Sequence, residues 1–287
     1  MKKIIGVLCL LLITSCLTGC IKRDSMEDIT IYTTNYPTEY ITKRLYGDHA
    51  TIHSIYPDGI NINSYKLTNK QIKDYSNSDL YIFNGLSKEK NYVHDMRKNN
   101  KNLKIIDTTL AMEYTYAPEE LWLDPSNFLM MAQNIKTGFS EYTDSYYLNN
   151  DINENYEELK IEASNLDAKI KQIVTNSDNK IIVASTDLFK YLEKYDLTVY
   201  SLEGKSLDDK TLATIKSLIN NGDIDYIFTE ANEELNSNTK KLIDETGVKT
   251  LKWHTLANIS EAERSANENY FTIMNDNLEL LKDELYN

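Results

Sequence analysis

Few side chains in these 287 residues have the chemistry to act on a ligand. The three cysteines, Cys9, Cys16 and Cys20, all lie in the first twenty residues, so the body of the chain has no thiol for a disulfide or a thiolate metal site. Four histidines, His49, His53, His94 and His254, make up the whole imidazole inventory. There is no glycine-rich phosphate loop, nucleophile elbow or His-Glu-x-x-His pattern, which points to a binding protein rather than an enzyme. The most informative stretch is Pro118-Glu119-Glu120-Leu121-Trp122-Leu123-Asp124-Pro125, where Glu120 offers a carboxylate beside an aromatic anchor.

The elements that must position these residues follow a repeating rhythm. Runs rich in β-branched and aromatic residues at 29–33, 51–55, 80–83 and 103–106 read as strands, with helical patterns between them and Thr68 as an N-cap. The rhythm returns with strands at 180–184, 197–201, 224–228 and 248–251 and helices at 186–195, 208–220 and 236–246, two of them stopped by Gly222 and Gly247. A long final helix is expected over 260–285. Such alternation means parallel βαβ units. Between the halves, Ile152, Tyr156, Leu159, Ala163, Leu166, Ile170 and Ile173 recur alternately four and three residues apart, the stripe of a long amphipathic helix. That helix is either a rigid strut between two lobes or a coiled-coil dimer arm.

The expected fold is therefore α/β, with two lobes, each a roughly four-stranded parallel sheet flanked by helices, joined by one long backbone helix. The divisions are an N-terminal lobe at 28–147, a linking helix at 148–177 and a C-terminal lobe at 178–287. Parallel sheets bind ligands at the carboxyl ends of their strands. Loops 57–65, 111–125, 185–187 and 252–259 meet that condition, and facing lobes would bring them to one cleft.

The chain opens with Lys2-Lys3, an apolar run from Ile4 to Ile13 and then Leu17-Thr18-Gly19-Cys20. This describes a secretory signal over 1–19, and its end resembles a bacterial lipobox, which would make Cys20 the lipidated first mature residue with 20–27 as a tether. Two acyl chains on that cysteine suffice for stable anchoring, so contact with the membrane is expected through the lipid only, on the extracellular face of a bacterial cell membrane. A net charge of −13 argues against nucleic acid or anionic lipid as partner and is compatible with a cationic ligand. The body reads as a monomer.

Laid end to end, Ile55-Tyr56-Pro57-Asp58-Gly59, Ser64-Tyr65, Asp79-Leu80-Tyr81-Ile82-Phe83-Asn84-Gly85, Trp122-Leu123-Asp124-Pro125, Asp187-Leu188-Phe189-Lys190-Tyr191-Leu192, Phe228-Thr229-Glu230 and Glu245-Thr246-Gly247-Val248 resemble the zinc and manganese receptors of ABC importers, across essentially the whole mature chain. The resemblance implies two lobes on a long helix, little hinge motion, a metal in the cleft, and a permease and ATPase as partners. It also implies four ligand positions, usually three histidines and a carboxylate. They fall here on Asn63, Glu120, Thr186 and His254, and all four depart from the usual residue types.

Glu120 and His254 are competent ligands for zinc or manganese, whereas Asn63 offers an amide oxygen and Thr186 a weakly ligating hydroxyl. Three outcomes stay open. The cleft holds one divalent metal weakly, with Asp187 or Glu230 stepping in; or Glu120 and His254 pair across the lobes, raising the histidine's pKa; or the cleft takes another small ligand, with Trp253 as a wall, or none, as in an adhesin or accessory lipoprotein.

Overall fold

The structure, a computed structural model, describes residues 26–204 and 207–286. The signal over 1–19 and Cys20 lie outside the described residues.

The first lobe runs β1 (Ile29–Thr33), α1 (Tyr36–Tyr46), β2 (Ala50–Ser54), α2 (Asn69–Tyr75), β3 (Leu80–Phe83), α3 (Lys90–Asn99) and β4 (Lys104–Asp107). Its strands are all parallel in the order β2-β1-β3-β4. Next come α4 (Glu120–Leu123), α5 (Pro125–Tyr142) and α6 (Tyr146–Asn176). The second lobe runs β5 (Ile181–Ala184), a 3-10 segment (Asp187–Tyr195), β6 (Thr198–Ser201), α7 (Asp209–Asn221), β7 (Tyr226–Glu230), α8 (Ser237–Thr246) and β8 (Lys249–Trp253). Its parallel order, β6-β5-β7-β8, repeats that of the first lobe. Two helices, α9 (Glu261–Ser265) and α10 (Tyr270–Leu285), close the chain.

Local chemistry sets these boundaries. Thr68 and Gln71 form a reciprocal capping box at the start of α2, and Gly222 and Gly247 end α7 and α8 at φ 78° and 72°, a left-handed conformation that glycine adopts without steric cost. Asp124 caps α5 by accepting from Ser126 N at 2.8 Å while Pro125 fills the first helical position, so Trp-Leu-Asp-Pro is a helix start.

The linking helix α6 has 31 residues, roughly 46 Å at 1.5 Å per residue. Every member of its stripe, Ile152 through Ile173, is buried. The stripe packs against α5, α1 and α10 of the same chain, which leaves no seam for a dimer arm. One apolar cluster runs through both lobes along this helix, with Phe128 and Tyr270 stacked 3.9 Å apart between them. The expected single final helix is instead two. Asn267 at φ 60° breaks it, and Asn269 starts α10 with its own capping box. The helix expected at 186–195 winds as 3-10 over Asp187–Tyr195, up to Asp196 at φ 69°.

Candidate functional site

The carboxyl ends of both sheets face each other, and the four expected loops meet there. Together with residues 230–236 after β7 they enclose a cleft of about 150 Å³ that opens into a second space of about 350 Å³. Six glutamates, Glu119, Glu203, Glu230, Glu233, Glu234 and Glu263, line the two spaces, and among the described residues no lysine or arginine does.

Glu120 does not reach this cleft. Its carboxylate accepts from Thr115 N at 3.1 Å, Ala117 N at 2.6 Å and Tyr116 N, closing the loop that precedes α4. It is 6% exposed. The residue that lines the cleft is its neighbour Glu119, the residue before α4, because one helical residue turns the side chain by about 100°. Burial pushes Glu119 up to about 7, with the negative charges of Glu230, Glu233 and Glu120 adding to the effect.

His254 also differs from expectation. Its Nδ1 accepts from Leu256 N at 3.0 Å, which holds Leu256 in a left-handed turn at φ 59°. A neutral ring accepting at Nδ1 carries its proton on Nε2, and that atom lies 3.2 Å from Glu263 Oε1. Burial lowers the histidine's pKa and outweighs Glu263, which favours the charged form, so the expected rise does not occur. Glu263 is itself held by Ser260, whose N and Oγ donate to Oε2 at 2.7 and 2.6 Å. Burial opposes its ionised form, yet these bonds and His254 keep its pKa below the usual range. The anticipated pairing of Glu120 with His254 is thus replaced by two separate attachments, Glu120 to its own loop and His254 to Glu263 of α9.

This arrangement runs opposite to that of a metal ligand. A ligating neutral imidazole donates its second ring N–H to an acceptor, whereas here the second nitrogen accepts from a backbone N–H. Metal on Nε2 would set two donors, Nδ1–H and Leu256 N–H, against each other.

The remaining candidates divide. Thr186 Oγ1 donates to Glu230 Oε1 at 2.7 Å, so these two are brought together, and Glu230 has a raised pKa from burial, eased by Thr186 and reinforced by Glu233 and Glu203. Asn63 is exposed on the rim. Its backbone carbonyl accepts from Lys88 Nζ at 3.0 Å. Asp187 pairs with Lys190 at 2.8 Å. Trp253 is no pocket wall. It is fully buried and meets Phe189 and Phe228 edge-on at 5.9 and 6.0 Å in the second lobe's core. Among the described residues, no three His, Cys, Asp or Glu side chains are placed to hold a metal ion together.

The lobes are joined directly beside the cleft, by contacts that include lining residues Gly59, Thr255, Asn258 and Ile259. Arg264 of α9 binds Asp58 at 2.7 Å through both Nε and Nη2, and Glu39 through Nη1 at 2.9 Å. Gly59 N donates to Ile259 O at 2.8 Å, Asn258 Nδ2 to Pro57 O at 2.8 Å, and Trp122 Nε1 to Thr255 O at 2.7 Å. Sequence reasoning did not single out Arg264, whose partners lie more than 200 residues away, or Glu119 and Glu233. The loop after β7 was findable by the same carboxyl-end rule that found the other four.

Residues 31–284 match the family model described as ZnuA, zinc-uptake complex component A periplasmic. The chain belongs to the ZnuA family. Members of this family are solute-binding proteins of metal ABC transporters, not enzymes. The zinc-binding protein AdcA of Streptococcus pyogenes serotype M6 is 24% identical, with 88% of this chain and 55% of that one covered. The metal ABC transporter substrate-binding lipoprotein SloC of Streptococcus mutans is 26% identical, covering 69% of this chain and 70% of its own. The metal-dependent lipoprotein YcdH of Bacillus subtilis superposes with a TM-score of 0.73 at 22% identity, over 90% of this chain and 99% of that one, which establishes the shared two-lobed fold. The chain spans about half the length of the first curated relatives it matches.

Proposed function

We propose that this ZnuA-family chain is a lipid-anchored receptor on the extracellular face, acylated at Cys20, that presents a divalent cation to an ABC permease and its ATPase, and that it holds this cargo weakly. The observation that carries the reading is the reversed polarity of His254, whose two nitrogens are committed to Leu256 and Glu263. Of the expected ligand positions, Glu120 is committed to backbone N–H groups and Asn63 and Thr186 are neutral, so the carboxyl groups available in the cleft are those of Glu119, Glu230 and Glu233. Carboxylates without imidazole suit a partly hydrated ion better than tight tetrahedral zinc.

Thermal melting in a series of Zn²⁺ and Mn²⁺ concentrations tests this, because a ligand of the folded form raises the midpoint with the logarithm of concentration over Kd. The expected onset lies at high micromolar metal and disappears in Glu119→Gln. Onset at nanomolar metal would contradict the weak site.

A second reading rests on the direct clasp between the lobes: the cleft is closed by protein contacts alone, as an accessory lipoprotein without cargo would require. A response flat at every metal concentration would favour it.

A further inference from the structure

Where the chain enters the described residues, Met26 is fully buried and its carbonyl accepts from Tyr46 Oη at 2.5 Å. Two residues on, Asp28 N donates to His49 O at 2.8 Å, and His49 Nε2 lies 3.2 Å from Asp151 Oδ2 on α6. The entry point is therefore tied to the second turn of α6. One turn earlier on the same face stands Tyr147, four residues before Asp151, with Tyr146 beside it. Tyr146 and Tyr147 are 77% and 80% exposed, and their rings meet edge to face at 5.9 Å. Among the described residues the next most exposed aromatics, Tyr286, Tyr114 and Tyr116, are only 40–48% exposed, so a pair presented this fully at the foot of the linking helix calls for a neighbour.

The covalent chain identifies that neighbour. Five residues, Ile21 to Ser25, separate Cys20 from Met26, a span of at most roughly 20 Å when fully extended. With Cys20 acylated, as the proposed function has it, the foot of the first lobe cannot leave the bilayer surface by more than that. We infer that Tyr146 and Tyr147 rest in the headgroup layer of the membrane, giving the lipid anchor a second, protein-borne contact. Tyrosine suits that layer because its ring is apolar and its hydroxyl stays wet. The flank is acidic, with Glu141, Asp144 and Asp151, so the contact is made by ring burial and is insensitive to salt.

The mature body lacks free thiols, so Tyr147→Cys in the full-length lipoprotein can be spin-labelled at one site, with Ile161→Cys as a control about 21 Å further along α6. Both are reconstituted in phosphatidylcholine–phosphatidylglycerol vesicles and probed with a water-soluble nickel chelate and with oxygen. The expected result is a several-fold fall in nickel collisions at 147 relative to 161, unchanged by added salt, with oxygen collisions preserved. Equal nickel access at both sites in protein shown by mass spectrometry to be acylated at Cys20 would overturn the docking while leaving the anchor intact. Absence of the acyl group would overturn the anchoring reading and this inference with it. Protection at 147 that grows with protein density in the vesicles would mean that a second copy covers the pair, which also overturns it.

Discussion

The two sides of the interlobe interface are built on opposite electrostatic principles. On one side Arg264 lies between Asp58 and Glu39, Asn258 reaches two carbonyls of the first lobe, and Trp122 bonds Thr255, so charges and polar groups are matched. On the other side Glu119, Glu230 and Glu233 converge with no lysine or arginine among the described lining residues. The first side holds the lobes together without help. The second is left needing protons or a cation, and the raised pKa values of Glu119 and Glu230 are the mark of that need. On the proposed function, closure and cargo binding, which one metal could serve together, are separated.

The largest expected effect comes from breaking the matched side. Arg264→Ala leaves Glu39, which is 3% exposed, with Lys43 alone, and is expected to cost about 2–3 kcal/mol in urea unfolding. Arg264 is itself more than a third exposed, which keeps the cost below that of a fully buried pair. A loss below about half a kcal/mol would mean that the lobes are held by the shared core alone.

The acidic side should respond in the opposite direction. Glu119 has a folded pKa of about 7, above its ordinary value, so the folded state favours its protonated form. Its penalty on stability is absent near pH 4 and grows as pH rises through 7. Glu119→Gln is therefore expected to stabilise by about 2 kcal/mol at pH 8 and to be neutral at pH 4.5, read from melts at the two values. Glu284 provides the control. Burial pushes it up to about 8 at the start of β7, far from the cleft, where it accepts from Tyr226 N at 2.9 Å. Glu284→Gln should show the same pH trend, but millimolar Mn²⁺ should shrink the benefit of Glu119→Gln and leave that of Glu284→Gln unchanged.

A smaller effect is expected at His254. His254→Ala removes two hydrogen bonds and should cost about 1–2 kcal/mol while leaving the metal concentration at which melting responds within about twofold of wild type. Loss of the metal response in this variant would restore the histidine to the ligand set.

Much of this architecture was legible from residue order, because strand runs, caps and the stripe of α6 are local signals that the tertiary structure keeps. Trp122-Leu123-Asp124-Pro125 is the clearest case, a helix start written in an N-cap aspartate and a following proline. The site was legible only in outline. Choosing between Glu119 and Glu120 depends on the one-residue phase of a four-residue helix, which no periodicity can set. The role of His254 depends on the turn at Leu256 and on Glu263 nine residues later, and Arg264 works across two lobes. Trp253 was misplaced because an aromatic at a strand end can face either cleft or core, and Phe189 and Phe228 drew it inward.

The central claim is that the matched side closes the lobes while the acidic side holds a cation only weakly. Elemental analysis of the mature protein, purified without chelator and dialysed against metal-free buffer, tests it most directly. The account predicts zinc and manganese well below one ion per chain; one ion per chain, retained through dialysis, would contradict it.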